Sequence, residues 1–129
     1  MVIDSSALIA ILAGEREHDA FIDMIASADA RLIGAPSMLE TSMVLLARSG
    51  EFGLEDLRDF CTRAAVETVP FTAEHLELAI SAFRQFGKGR HAASLNFGDC
   101  CSYALAKATG EPLLFKGEDF SRTDIKRVA

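Results

Sequence analysis

Cysteine and histidine are scarce in this chain of 129 residues, which contains three of each. The cysteines Cys61, Cys100 and Cys101 do not have the spacing of a zinc site or of a redox motif. Their odd number and the adjacency of two of them argue against a disulfide framework. A chain of this length buries enough surface to fold without such cross-links. We therefore expect a single domain, residues 1–129, in the reducing environment of the cytoplasm.

Long hydrophobic runs are also missing. The longest run, residues 7–13, falls far short of the roughly 20 apolar residues that span a bilayer. No positively charged segment precedes an apolar stretch near the first residue, so a signal peptide is not expected. These features predict a soluble, cytoplasmic protein that has no membrane partner.

Positive charge is in the minority, because the net charge is −6. An acidic balance normally disfavours a nucleic-acid partner. The charges are segregated, however, and residues 78–98 contain no Asp or Glu. The basic residues of that segment are Arg84, Lys88, Arg90 and His91, and a second basic group comprises Lys116, Arg122, Lys126 and Arg127. Basic patches beside an acidic pocket are compatible with a polyanionic substrate.

Short apolar segments alternate with amphipathic ones, which predicts an α/β fold with a parallel sheet covered on both faces. The predicted strands are residues 2–4, 31–34, 66–69 and 112–115, with an edge strand near Arg127. The predicted helices are residues 6–13, 20–28, 36–50, 54–64 and 99–108, with a further helix that starts after Thr72. Ser5 is the predicted N-cap of the first helix and Thr72 caps its own helix, while Gly50 and Gly110 end theirs. The predicted core stripe of the helix after Thr72 is Leu76, Ala79, Ile80 and Phe83. Residues 87–94 are predicted to be a mobile loop, and a short helix is expected near Thr123.

Four acidic residues fall where the parallel strands would end: Asp4, Glu40, Asp99 and Asp119. Ligands bind outside the carboxyl ends of the strands in open α/β sheets. Carboxylates gathered there, with few His or Cys ligands, favour a hard cation such as Mg²⁺ or Mn²⁺. The pattern predicts metal-assisted phosphate chemistry, and the hydroxyl of Ser6 is a further candidate for the same pocket.

Each of these residues also has a purely structural explanation. Ser37 and Glu40 have the spacing of a capping box, in which the glutamate returns to the N-cap amide. Asp99 suits the positive end of a helix dipole, Asp119 suits a turn, and Ser6 suits the first turn of a helix. Asp4 is harder to explain in this way, since an acid that ends a buried strand is costly unless it is paired or metal-bound.

Five segments together form a recognisable pattern: residues 1–8 (MVIDSSAL), 35–40 (APSMLE), 87–91 (GKGRH), 95–106 (LNFGDCCSYALA) and 113–120 (LLFKGEDF). They resemble a PIN domain, and most closely the VapC-type ribonuclease toxins of bacterial toxin–antitoxin pairs. The resemblance implies a three-layer α/β/α sandwich with a parallel sheet of four or five strands. It also implies an Mg²⁺- or Mn²⁺-dependent endoribonuclease that acts on tRNA, rRNA or mRNA. A homodimer and a cognate VapB-type antitoxin are the implied partners.

Carried over residue by residue, the resemblance makes Asp4, Glu40 and Asp99 the three main acids of the site. Asp119 matches a more variable fourth acid, for which Glu118 is the alternative, and Ser6 matches the hydroxyl position after the first acid. Asp4 and Asp99 are expected to hold the principal ion, with Glu40 and Asp119 completing its coordination or placing a second ion. The candidates for RNA contacts are Arg84, Lys88, Arg90, His91, Lys116 and Arg122, for each of which a solvated surface position is the alternative.

Two other classes of Mg²⁺-dependent α/β protein are disfavoured by single positions. A receiver domain needs an acidic pair after the first strand, and a haloacid-dehalogenase-type phosphatase needs an Asp two residues after the first, where this chain has Ser6. A catalytically inert PIN-like module and a nuclease that acts on DNA remain as alternatives. No feature of the sequence indicates a contact with the 2′ hydroxyl, which distinguishes RNA from DNA.

Overall fold

A computed structural model of the chain describes residues 1–128, and within them four parallel strands are covered by five α-helices. The strands are β1 (Val2–Ile3), β2 (Leu32–Gly34), β3 (Glu67–Val69) and β4 (Leu113–Leu114). The helices are α1 (Ser5–Leu12), α2 (His18–Ser27), α3 (Ala35–Arg63), α4 (Ala73–Phe86) and α5 (Phe97–Thr109), followed by a short 3₁₀ helix, Asp119–Arg122.

The strands lie in the order β3-β2-β1-β4, and every pairing is parallel. The N-terminal strand therefore has a neighbour on both sides, since Val2 is in register with both Leu32 and Leu113. Because all the strands run in one direction, the segments that follow β1, β2 and β4 emerge at the same edge of the sheet. That edge is where a ligand site is expected in this class of fold.

Two hydrophobic clusters cover opposite faces of the sheet, because successive residues of a strand point to opposite sides. Ile3 packs in the cluster formed with α1, α2 and α3, whereas Val2 packs in the cluster formed with α4 and α5. Both side chains are completely buried. The arrangement confirms the predicted three-layer α/β/α sandwich, with four strands in its sheet.

Most of the predicted boundaries are confirmed within a few residues. Thr72 caps α4 through its side chain, and Gly110 ends α5 in the left-handed conformation with φ of 73°. Gly50 has φ of 62° and breaks α3 into two segments, as predicted for the end of one helix and the start of another. The predicted edge strand is a single bridge between Leu113 and Arg127.

Two predictions about helices are wrong. The N-cap of α1 is Asp4 and not Ser5, because β1 ends one residue earlier than expected. The predicted core stripe of α4 is largely exposed: Leu76 is 47%, Ile80 41% and Phe83 42% exposed. The helix buries Ala82 and Phe86 instead. Apolar periodicity identifies an apolar face, but it does not show whether that face is covered by the same domain.

Residues 87–94, predicted to be a mobile loop, are held by backbone hydrogen bonds. Gly87 and Leu95 form an isolated parallel bridge, and the amide of Lys88 donates to the carbonyl of Leu95 at 2.9 Å. Further turns close within the segment, where Arg90 and His91 both donate to the carbonyl of Gly87. The segment is therefore a series of turns that connects α4 to α5, and its mobility stays a prediction.

Candidate active site

Asp4 lies at the carboxyl end of β1 and is 4% exposed. One carboxylate oxygen, Oδ2, accepts hydrogen bonds from the amide of Ser6 at 3.1 Å and from its hydroxyl at 2.6 Å. The other oxygen, Oδ1, accepts one from the hydroxyl of Ser102 at 2.5 Å. Burial raises the pKa of Asp4 and the charge of Glu40 adds to this, whereas the bonds from Ser102 and Ser6 oppose it. The carboxylate is thus buried and held by hydrogen bonds, and among residues 1–128 it forms no ion pair.

Ser6 was predicted as a further member of the acidic pocket, and its hydroxyl makes two hydrogen bonds there. Besides donating to Asp4, its Oγ accepts a hydrogen bond from the amide of Lys116 at 3.0 Å. The contact joins the start of α1 to the segment that follows β4. Ser6 therefore ties together two of the chain segments that carry the predicted acids.

Glu40 lies in the second turn of α3, and the capping-box alternative for it is wrong. The N-cap of α3 is Gly34, which makes no side-chain capping bond. The Oε1 atom of Glu40 instead accepts a hydrogen bond from the hydroxyl of Ser5 at 2.7 Å. A Cβ atom added to Gly98 would lie 2.8 Å from the same Oε1 atom. The carboxylate of Glu40 thus lies between the start of α1 and the start of α5.

Asp99 does fulfil the helix-capping role that was its structural alternative. Its Oδ2 accepts from the amide of Asn96 at 3.0 Å, and its own amide donates to the side chain of Asn96 at 2.9 Å. This contact uses one carboxylate oxygen. The pKa of Asp99 is raised to about 6, first by burial and then by the charges of Asp4, Asp119 and Glu40, while the Asn96 bond opposes the rise. Asp99 therefore lies in the electrostatic field of all three other predicted acids.

Asp119 begins the short 3₁₀ helix and is exposed, and Glu118 precedes it as the exposed N-cap residue. The charge of Asp119 is among the causes that raise the pKa of Asp99, after burial. The assignment of Asp119, rather than Glu118, as the fourth acid stays a prediction. Together the four carboxylates come from four separate segments of the chain and converge at one edge of the sheet.

The donor chemistry of this pocket fits a hard divalent cation. All the converging side chains offer carboxylate or hydroxyl oxygens, which Mg²⁺ and Mn²⁺ prefer. Burial is the main cause of the raised pKa of Asp99, and the charges of the other three acids add to it. A cation in the pocket would relieve that added repulsion. In the arrangement seen for residues 1–128, no three Asp, Glu, His or Cys side chains stand close enough together to hold a metal ion. Glu40 and Asp119 are exposed, whereas Asp4 is buried and Asp99 is half-buried.

Two residues of the pocket were not predicted as site residues. Ser102, on α5, bonds directly to Asp4, and Ser37, on α3, lies 3.1 Å from the hydroxyl of Ser102. Both are 2% exposed. The only sequence signal for Ser102 is a polar residue within an apolar helix stretch, since its neighbours from Cys100 to Ala106 are all buried. Ser37 was considered only as a helix cap.

The predicted RNA-contacting residues divide into two groups. Arg84, Lys88, Arg90 and His91 are exposed at the end of α4 and in the loop that follows. The guanidinium of Arg90 lies 5.7 Å from the ring centre of Phe83, and Nδ1 of His91 accepts from the amide of Ala93 at 2.9 Å. This first group presents its charges to solvent.

The second group, near Asp119, is more constrained. Lys116 forms ion pairs with Glu15 and, at 3.2 Å, with Glu17. Arg122 extends toward the loop before α5, with Nη1 3.5 Å from the carbonyl of Ala92. Lys116 is therefore a weaker candidate for a phosphate contact than the sequence suggested, whereas Arg122 joins the 3₁₀ helix to the basic loop.

An exposed apolar face lies beside the acidic pocket. Its side chains come from α3, the segment before α4, α4 and the start of α5, and are Leu39, Met43, Phe71, Leu76, Ile80, Phe83 and Phe97. Two grooves of about 630 and 380 Å³ run over this face and share Phe71 and Phe97. Glu40 and Gly98 line the larger groove, so the apolar face is continuous with the acidic pocket.

Comparison with protein families identifies the class of domain to which this fold belongs. Residues 1–126 match the PIN domain family, to which the chain belongs. Within that family the chain groups with the VapC ribonucleases. It is 50% identical over 129 residues to Ribonuclease VapC30 of Mycobacterium tuberculosis, a match that covers 100% of this chain and 98% of the relative. It is 47% identical over 128 residues to Ribonuclease VapC of Mycolicibacterium smegmatis, covering 99% of each.

Solved structures support the fold. The crystal structure of Mycobacterium tuberculosis VapC20, a sarcin-ricin loop cleaving toxin, superposes with a TM-score of 0.79 at 22% identity and covers 98% of this chain and 97% of that one. VapBC2 from Rickettsia felis, bound to a DNA fragment from its promoter, also gives a TM-score of 0.79, at 12% identity, covering 99% and 96%. At these identities the similarity is one of architecture.

Among residues 1–128, no helix combines the length and the apolar character that crossing a bilayer requires.

Proposed function

We propose that this protein is the ribonuclease toxin of a type II toxin–antitoxin module, which cleaves RNA in the cytoplasm and thereby inhibits translation and growth. The observation that carries the proposal is the convergence of Asp4, Glu40, Asp99 and Asp119 at one edge of a PIN-domain sheet. Relatives that are named VapC ribonucleases and share about half of their residues with this chain support it.

Asp4 and Asp99 are proposed to hold the principal Mg²⁺ or Mn²⁺ ion, since both are partly or fully buried at the centre of the acidic pocket. Glu40 and Asp119 would complete the coordination or place a second ion and the attacking water. When bound, a divalent ion supplies Lewis acidity to a phosphoryl oxygen and acidity to a coordinated water. The protein side chains supply orientation, because Ser6 and Ser102 fix the carboxylate of Asp4 and Ser5 fixes that of Glu40.

RNA is proposed to approach over the basic loop that follows α4. Arg84, Lys88 and Arg90 are exposed there, and Arg122 connects the loop to the segment that carries Asp119. Contacts from these side chains to phosphates would set the register of the strand without reading its sequence. Hydrolysis is expected to break the bond to the ribose 3′ oxygen and to leave a 5′ phosphate.

The partners proposed for this protein are a second copy of the chain and a cognate VapB-type antitoxin. The apolar face described above leaves large side chains such as Phe97, at 81% exposure, in contact with water. Contiguous apolar surface of this kind typically marks an interaction site. We propose that this face forms the homodimer interface, so that two acidic pockets would lie near the same interface.

The decisive experiment is to sequence the cleaved ends of cellular RNA after brief induction of the protein, with the Asp99→Asn variant as control. We expect discrete RNA cuts with 5′ phosphates in cells that express the parent and none in the control. Cuts in DNA with intact RNA would establish the DNA nuclease instead. No cuts in either polymer, together with no binding of Mg²⁺ or Mn²⁺ by calorimetry, would establish the inert module.

A further inference from the structure

The hydroxyl of Ser102 lies at the meeting point of the sheet and two helices. Ser102 is 2% exposed on α5, a helix that contacts β1, β2, β4, α3 and α4. It is the polar member of a buried stretch that runs from Cys100 to Ala106. A serine in this position could satisfy its hydroxyl with the carbonyl one turn earlier in its own helix. Its hydroxyl instead donates to a carboxylate 98 residues away, on Asp4.

The single hydroxyl proton of Ser102 determines the direction of both hydrogen bonds. A serine hydroxyl has one hydrogen, and the hydrogen of Ser102 is used in the 2.5 Å bond to Oδ1 of Asp4. The hydroxyl of Ser37, 3.1 Å from that of Ser102, must therefore be the donor in the second bond. The result is a buried relay in which Ser37 donates to Ser102 and Ser102 donates to Asp4. A donor that is itself an acceptor in such a chain is polarised toward the carboxylate.

The carboxylate of Asp4 keeps one acceptor position in addition to those used by Ser6 and Ser102. Each carboxylate oxygen has two acceptor positions. Both positions of Oδ2 are used by the amide and hydroxyl of Ser6, whereas Oδ1 accepts one bond, from Ser102. Oδ1 therefore retains one position. Without the Ser102 hydroxyl, the carboxylate would lose the contact that fixes its rotation on this side.

We infer that Ser102, supported by Ser37, is a positioning residue that holds Asp4 in the orientation in which its remaining acceptor position serves the divalent cation. This inference rests on the proposed function, because it assigns a role within the same pocket. Groups that hydrogen-bond to a metal ligand typically change metal affinity by about 10- to 100-fold when they are removed. The chemical reason is that they fix the orientation of the ligand before the cation arrives.

The test is the affinity for Mn²⁺ of the full-length protein without RNA, measured by titration calorimetry for the parent, Ser102→Ala, Ser102→Thr and Ser37→Ala. We expect Mn²⁺ binding by Ser102→Ala to be at least about tenfold weaker, with a smaller loss for Ser37→Ala. Ser102→Thr retains the hydroxyl and should remain close to the parent. The Mg²⁺ concentration for half-maximal RNA cleavage should shift by the same factor in each variant.

Thr41→Val is the matched control. Thr41 is also completely buried on α3, but its hydroxyl donates to the backbone carbonyl of Ser37 at 2.8 Å and does not contact Asp4. The control should lower the melting temperature as much as the serine variants do, with unchanged Mn²⁺ affinity. A control that loses as much affinity as Ser102→Ala would show that general destabilisation, and not positioning, is responsible.

The outcomes separate the inference from the proposed function. If the parent binds Mn²⁺ and Ser102→Ala binds it equally well, the inference is overturned and the nuclease remains. If the parent itself binds no Mn²⁺ and cleaves no RNA, the proposed function fails and the inference falls with it. If Ser102→Ala does not fold, the Mn²⁺ affinity of Ser37→Ala is the deciding measurement. An affinity equal to that of the parent would then overturn the inference.

Discussion

Replacement of Asp99 by Asn should make the protein more stable in the absence of metal while it abolishes cleavage. The pKa of Asp99 is raised to about 6, from a usual value of 3.8, by burial and by the charges of Asp4, Asp119 and Glu40. The folded state therefore disfavours the ionised side chain. Asn retains the shape and an oxygen that can accept from the amide of Asn96, but it carries no charge.

The magnitude follows from the two pKa values. A difference of about 2 corresponds to about 3 kcal/mol at 1.36 kcal/mol per pKa unit. Asp99 is partly exposed, so screening by water reduces this to about 1–2 kcal/mol. Loss of the favourable charge at the start of α5 opposes the gain by about 0.3–1 kcal/mol. The net expectation is a stabilisation of about 1 kcal/mol, which is about 4 °C in melting temperature for a domain of this size.

The pH dependence of the melting temperature tests whether ionisation of Asp99 causes the difference in stability. The folded-state pKa of Asp99 lies above its unfolded value, so the protonated form stabilises the fold below about pH 4 and this contribution is lost as the pH rises to about 6. Parent and Asp99→Asn should therefore melt at similar temperatures near pH 4 and diverge by pH 7. Saturating Mg²⁺ should raise the melting temperature of the parent more than that of the variant, because binding to the folded state alone stabilises it.

Thermal melts monitored by circular dichroism in EDTA, from pH 4 to pH 8, provide the measurement. Asp124→Asn is the control for which the opposite change in stability is expected. Burial raises the pKa of Asp124, but hydrogen bonds from Lys107 and Tyr103 outweigh this and lower it. Removal of this carboxylate should therefore destabilise the protein at neutral pH. A variant at Asp99 that is less stable than the parent at pH 7, or whose offset does not change with pH, would refute the electrostatic account of the pocket.

Three further predictions concern the surroundings of the pocket. Gly98→Ala should raise the melting temperature slightly, because Ala is the better helix former, yet reduce cleavage about tenfold or more, because its Cβ would lie 2.8 Å from Glu40; unchanged cleavage kinetics would show that the position of Glu40 is not critical. Combined Lys88→Gln and Arg90→Gln should weaken RNA binding and reduce the slope of log affinity against log salt by about 2, and an unchanged slope in filter-binding titrations would remove the loop from the RNA-binding surface. Ile80→Asp, at a side chain 41% exposed on α4, should shift the protein toward monomer in sedimentation velocity without loss of helical content; a parent that is already monomeric would exclude the proposed dimer face.

Much of the architecture could be predicted from local sequence because it is determined by local chemistry. Thr72 caps the next helix with a side-chain oxygen, and Gly110 and Gly50 accept backbone angles that other residues resist. The positions of Asp4 and Asp99, directly after a strand and at the start of a helix, could likewise be read from the order of the elements. Parallel strands then require that these ends share one edge.

The remaining features depend on contacts between residues that are distant in the chain. Glu40 and Ser37 have the spacing of a capping box, but in the folded protein one lies against Gly98 and the other against Ser102. Ile80 belongs to a regular apolar stripe, but that stripe faces solvent. The sequence alone determined which chemical groups are present and which local structures they start and end. Tertiary structure decided which of these groups meet, because hydrogen bonding and burial depend on approach in space, and periodicity along one element contains no information about its neighbour.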